Sequence, residues 1–148
     1  FLTDWSLAEK KERARYLLDK VNVKDSEDKY PDELSGGMQK RVGIARAIAL
    51  NPEYLFCDEP NSGLDPETSI VIDQLISSLT KELGITTIMN THDMNSILEI
   101  GDNIGFLHKG TILWEGDRHS ILSSDCRQLT DFMCSDTLAR NIIRPQGR

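Results

Sequence analysis

The sequence predicts an α/β domain with a mainly parallel sheet, on three observations. Two short apolar runs, residues 54–57 (YLFC) and 85–89 (ITTIM), sit between turn residues and read as buried strands. Each is followed by a capped segment that reads as a helix. The resulting order of strand, helix, strand, helix, strand is the pattern of a parallel sheet with helical crossovers.

The elements follow in chain order. Ser6-Leu7-Ala8-Glu9 has capping-box spacing and starts a helix whose face carries Ala14, Leu17, Leu18 and Val21 at i, i+3, i+4 and i+7. Residues 23–33, polar and containing Pro31, form a loop. A second helix follows Leu34, with Met38, Val42, Ala45 and Ala49 recurring at helical spacing and Asn51-Pro52 stopping it. The strand at 54–57 ends at Asp58-Glu59-Pro60. Asp65-Pro66-Glu67 supplies an N-cap, a proline in the first turn and an acid, and the helix they open has a stripe of Ile72, Leu75, Ile76, Leu79 and Leu83 before Gly84 ends it. After the strand at 85–89, a short helix runs from Asp93 to Gly101. Ile104–His108 and Thr111–Trp114 then form a hairpin around Lys109-Gly110, and the polar chain from Arg118 onward is helical before a loose tail at 141–148.

Composition narrows the function. The chain has 148 residues, enough for one core, with 17 Lys and Arg against 24 Asp and Glu, a net charge of −7. That balance argues against nucleic acid as a partner bound through bulk positive charge. No apolar run reaches the ~18 residues of a membrane span. The start of the chain does not have the pattern of a secretory signal. Cys57, Cys126 and Cys134 fit neither a disulfide framework nor a zinc site, and read as reduced thiols. His92, His108 and His119 lack metal-ligand spacing.

Four segments carry candidate chemistry. Asp58 and Glu59 follow an apolar strand, at the carboxyl end where α/β sheets bind ligands. An aspartate there can hold Mg²⁺ through oxygen, and a neighbouring glutamate can orient or deprotonate a water. A carboxylate closing a strand-to-loop turn is equally an ordinary structural event. Leu34-Ser35-Gly36-Gly37-Met38 places a hydroxyl and backbone N–H groups at the positive end of a helix, a ready anion site, or else a glycine-rich turn. Ser62-Gly63-Leu64-Asp65 follows the carboxylates, and Thr91-His92-Asp93 follows the second strand. With both strands parallel, His92 is expected near Asp58 and Glu59, where an imidazole can bond a phosphate or position water.

In this order, LSGGM, YLFCDEP, SGLD and THD resemble the carboxyl-terminal half of the nucleotide-binding subunit of ABC transporters, over nearly the whole chain. The resemblance implies part of a P-loop NTPase of RecA-like type, its mainly parallel sheet flanked by helices, together with the end of the ABC helical subdomain. It implies three parts: residues 1–50 with the signature, 51–117 in the ATPase core, and 118–148 as a helical extension and tail. Ser35, Gly36 and Gly37 then lie in the signature, with Ser35 and Gly37 touching the γ-phosphate of an ATP held by the opposite subunit. Asp58 is similar to the Walker B aspartate that binds Mg²⁺, and Glu59 to the catalytic glutamate beside it. Ser62, Gly63 and Asp65 resemble the D-loop that reaches across the dimer, and His92 the switch histidine. ATP and Mg²⁺ are the implied cofactors. A second ATP-binding subunit and membrane permease subunits are the implied partners, with a cytoplasmic location at the inner face of the membrane.

The sequence departs from the family pattern in two ways. Met38 stands where the signature has Gln, with Gln39 one place later. No G-x-x-x-x-G-K-[ST] loop is present and no Q-loop glutamine is recognisable, so the chain reads as a piece of a subunit, inactive alone. Within the family the motifs look most like ATPases of Mla/Mce-type lipid-trafficking importers. The alternative is a soluble ABC-type ATPase acting on ribosomes or DNA, which the charge disfavours. The piece is expected to self-associate, through an open sheet edge or by exchange of an element such as the helix at 6–21, unless residues 34–116 close into a small monomeric unit.

Overall fold

The computed structural model describes residues 4–134, which divide into two compact units on either side of the Asn90–Thr91 bond. In the first unit, helix α1 (Leu7–Lys20) starts at the capping box: Ser6 accepts from the Glu9 amide, and the Glu9 carboxylate accepts from the Ser6 amide at 2.7 Å. Helix α2 (Gly36–Ala47) is capped by Ser35, whose Oγ accepts from the Met38 amide at 3.3 Å. Arg13 on α1 donates to the carbonyls of Ile48 and Ala49 and to Asn51 Oδ1, satisfying acceptors left open where α2 ends. Part of the expected 23–33 loop is a short 3₁₀ turn at Pro31–Glu33.

Strand β1 (Tyr54–Asp58) pairs in parallel with β2 (Thr86–Asn90), and the crossover between them is helix α3 (Pro66–Leu83). Asp65 caps α3 at its start, and Gly84 ends it in the left-handed conformation at φ +62° that glycine adopts without cost. Ile72, Leu75, Ile76 and Leu79 are buried and meet Leu17, Val21, Ile44, Ala45, Ile48 and Leu55 in the first core. Each buried Leu, Ile or Val among them contributes about 1.5–3 kcal/mol.

The expected burial of both strand faces is corrected. Leu55 is buried, but Tyr54, Phe56 and Ile88 are exposed, Phe56 at 71 %. Among the described residues nothing covers that face, so the apolar runs alternate between core and solvent.

The second unit begins with helix α4 (Met94–Ile100), capped by Asp93. Strands β3 (Ile104–His108) and β4 (Thr111–Gly116) form an antiparallel hairpin. Its two-residue turn, Lys109-Gly110, has positive φ at both positions, as a type I′ connection requires. The third strand therefore joins its own hairpin, not the β1–β2 pair: the described strands form two separate two-stranded sheets. A 3₁₀ turn at Ile121–Ser123 and helix α5 (Arg127–Met133) supply Ile121, Leu129 and Met133 to a second core with Met94. The expected tail at 141–148 lies outside the described residues. All three cysteines are free thiols, and burial pushes the Cys57 thiol above its usual range, keeping it protonated.

Candidate functional site

The carboxyl end of β1 delivers the two expected carboxylates to the end of a parallel pair. Asp58 is exposed, and its Oδ1 accepts from Asn90 Nδ2 at 2.7 Å. Glu59 follows in a left-handed backbone conformation, φ +46°. Its N–H donates to the Asn90 carbonyl at 2.9 Å, and its own carbonyl accepts from the Ser62 amide at 3.2 Å and from Lys40 Nζ at 3.3 Å.

The donor set at Asp58 suits Mg²⁺. That ion takes one or two protein carboxylates and fills its remaining positions with phosphate oxygens and water. Among the described residues no three His, Cys, Asp or Glu side chains gather into a protein-only cage. A carboxylate accepting one hydrogen bond retains lone pairs for a cation.

The glycine-rich segment and the SGLD loop meet each other within this chain. A Cβ built on Gly37 would lie 2.7 Å from Thr68 Cγ2 on α3, and one on Gly36 would lie 3.6 Å from Leu64. The start of α2 therefore presses against the loop and the first turn of α3, and Gly37 is required for that approach. Asp65 has its carboxylate engaged in the same place, accepting from the Thr68 amide at 3.0 Å and the Thr68 hydroxyl at 2.6 Å. Those bonds, the hydroxyl first, hold the Asp65 carboxyl below its usual range. Gly63 adopts φ +79°, and Asn61 is buried with its Nδ2 3.4 Å from both oxygens of the buried Asp73.

Ser35 is exposed at the helix start, with its oxygen serving as cap. Gln39 Nε2 donates to the carbonyls of Pro31 and Leu34, so its amide braces the turn before α2. His92 belongs to the second unit, exposed in the segment between β2 and α4. The structure thus packs Gly36 and Gly37, next to the exposed Ser35, against Leu64 and Thr68 on either side of Asp65, and sets Glu59 directly after Asp58 at the end of β1. Sequence reasoning missed Lys40 and Asn90. No sequence signal marks the second, because the pairing of Asn90 with Asp58 follows only from the register of β1 on β2.

Comparison with known proteins gives one consistent picture. Residues 2–62 match the family described as ABC transporter. A methionine import ATP-binding protein of Shouchella clausii is 43 % identical over 130 residues, 88 % of this chain and 38 % of that protein. Another, from Carboxydothermus hydrogenoformans, is 46 % identical over 106 residues, 72 % of this chain and 32 % of that protein. The chain thus spans well under half the length of these curated relatives. Among solved structures, the ADP conformation of MJ1267, an ATP-binding cassette of an ABC transporter, superposes with a TM-score of 0.77 at 26 % identity, covering 90 % of this chain and 54 % of that one. The post-hydrolysis dimer of the cassette MJ0796, bound to ADP and Pi, gives 0.68 at 34 % identity, covering 80 % and 51 %. The fold class expected from the sequence holds. The lipid-trafficking expectation is corrected, because these relatives are named for methionine import.

Proposed function

Because this chain carries part of an ABC transporter ATP-binding domain, we propose that it supplies the signature, metal-binding and hydrolytic residues of an ATPase subunit that drives transport across a membrane. The observation that supports this best is the joint placement of the site. One strand end presents Asp58 and Glu59, and the glycine-rich helix start packs on the SGLD loop and α3 of the same unit.

In this reading residues 1–50 end the helical subdomain, 51–117 belong to the ATPase core, and 118–148 form an extension. Asp58 offers a carboxylate oxygen to Mg²⁺, with Asn90 fixing its orientation. Bound Mg²⁺ would offset the charge that develops on the phosphate oxygens. Glu59 orients the attacking water and accepts its proton. His92 donates a hydrogen bond to the phosphate. Ser35, Gly36 and Gly37 present a hydroxyl and backbone N–H groups to an ATP held by a second subunit, and Ser62, Gly63 and Asp65 form the loop facing that subunit.

Transport requires permease subunits, which place the ATPase at the inner face of the cytoplasmic membrane. No described helix is long and apolar enough to cross a membrane. The relatives' names favour methionine as the cargo over lipid, and the net charge of −7 disfavours the nucleic-acid-directed alternative. The test is Glu59→Gln in the full-length gene product. Turnover is expected to fall by ~10²–10⁴-fold while ATP binding persists; near-normal hydrolysis would assign the base elsewhere. Uptake of labelled methionine, compared with phospholipid transfer, decides the cargo.

A further inference from the structure

Lys40 is used by none of the chemistry above, yet it reaches the residue on which hydrolysis is proposed to depend. We infer that Lys40 is a positioning residue for Glu59, tying the helix that carries Ser35, Gly36 and Gly37 to the backbone of the hydrolytic carboxylate; this rests on the reading of Glu59 as that carboxylate.

Glu59 sits at φ +46°, a region that non-glycine residues rarely enter and that costs free energy unless neighbouring contacts hold it. Pro60 follows, and a proline disfavours the right-handed helical region for the residue before it. The conformation at Glu59 sets the direction of its Cα–Cβ bond, and with it where the carboxylate points. Two main-chain contacts brace it: the Glu59 N–H to the Asn90 carbonyl at 2.9 Å, and the Ser62 N–H to the Glu59 carbonyl at 3.2 Å. The third comes from a different element. Lys40 Nζ, half-buried on α2, donates to the same Glu59 carbonyl at 3.3 Å. A cationic donor makes a stronger bond than a neutral one.

Lys40 lies five residues along α2 from its Ser35 cap, within the same rigid helix. A displacement of the α2 start therefore moves the Lys40 ammonium relative to the Glu59 carbonyl. Engagement of the glycine-rich segment is coupled in this way to the orientation of the carboxylate, with Lys40 touching no reacting atom itself.

Two variants and two readouts test this in the full-length gene product. Lys40→Met keeps the aliphatic stem and removes the donor; Lys40→Arg keeps a cationic donor able to reach a single carbonyl. Lys40→Met is expected to lower kcat about tenfold with KM for ATP little changed, the signature of a misplaced group. Lys40→Arg is expected to recover most of that loss. Without nucleotide, Lys40→Met should also speed amide exchange at Glu59 and Ser62 roughly two- to tenfold, the factor one net hydrogen bond is worth. Lys40→Met with parental exchange and parental kcat overturns the inference, as does a loss that Lys40→Arg fails to recover. Should Glu59→Gln retain turnover, the catalytic reading of Glu59 fails, while the exchange data still decide whether Lys40 holds that backbone.

Discussion

Asn90 and Asp58 are register partners at the ends of two parallel strands, and their side chains are joined: Asn90 Nδ2 donates to Asp58 Oδ1 at 2.7 Å. The same Asn90 accepts the Glu59 amide on its main-chain oxygen. One residue thus touches both members of the carboxylate pair.

Replacing Asn90 by Leu keeps the approximate volume and removes the amide donor. Groups that orient a metal ligand are worth about 10–100-fold in metal affinity. The Mg²⁺ concentration for half-maximal ATPase activity in the full-length gene product should rise at least about tenfold. An unchanged Mg²⁺ dependence would show that Asp58 needs no such support.

Gly37 is held against Thr68 closely enough that an added methyl has no room. Gly37→Ala should destabilise the fold by about 1–3 kcal/mol, the usual cost of overpacking. Thr68→Ser removes the clashing Cγ2 and keeps the hydroxyl that bonds Asp65, so the double variant should recover most of the loss. Denaturant melts of the four proteins complete the cycle. Strict additivity would mean that the two side chains do not meet.

Acid should weaken the start of α3. The Asp65 carboxyl is held below its usual range by the Thr68 hydroxyl and then by the Thr68 amide. A depressed folded pKa contributes stability that is present above the unfolded value of about 3.9 and is lost as pH falls through the folded value. The denaturation midpoint should therefore fall as the pH drops below about 4, and Asp65→Asn should flatten that dependence. Parallel profiles for the two proteins would remove Asp65 as a contributor.

The 148-residue chain studied alone should bind Mg-ATP weakly, because no G-x-x-x-x-G-K-[ST] loop is present to cradle phosphates. It should also self-associate. Tyr54, Phe56 and Ile88 are exposed on the β1–β2 pair, and an open apolar sheet is a template for a second copy. Light scattering at tens of micromolar should show species larger than 16.7 kDa, and Phe56→Lys should reduce them. A monodisperse 16.7 kDa particle or micromolar ATP affinity in calorimetry would refute the respective claim.

The legible parts of this fold were those fixed by neighbours in sequence. Ser6 and Glu9 announced α1, Asp65 and Gly84 bracketed α3, and Lys109-Gly110 named its turn, because caps and turns depend on chemistry a few residues apart. What depended on distant partners was less visible. The run at 54–57 looked buried on both sides, but an apolar run does not say which of its faces is covered. The hairpin at 104–116 was marked by its turn, but nothing in it marks that it stays apart from the β1–β2 pair. At the site, the motifs named Asp58, Glu59 and the signature. The supports at Lys40 and Asn90 arise only when α2 and β2 are brought to the end of β1. The lipid expectation failed because the motifs it rested on are proposed to face ATP, and such segments carry no mark of a transported molecule.

The loop from Asn61 to Asp65 is anchored at both ends on one helix. Asn61 reaches Asp73 two turns into α3, and Asp65 grips Thr68 in its first turn. Mechanically this makes Ser62-Gly63-Leu64 a short strut clamped to a beam, not a hinge. A load applied at its tip has little slack to take up and passes into α3, whose buried stripe spreads it through the first core.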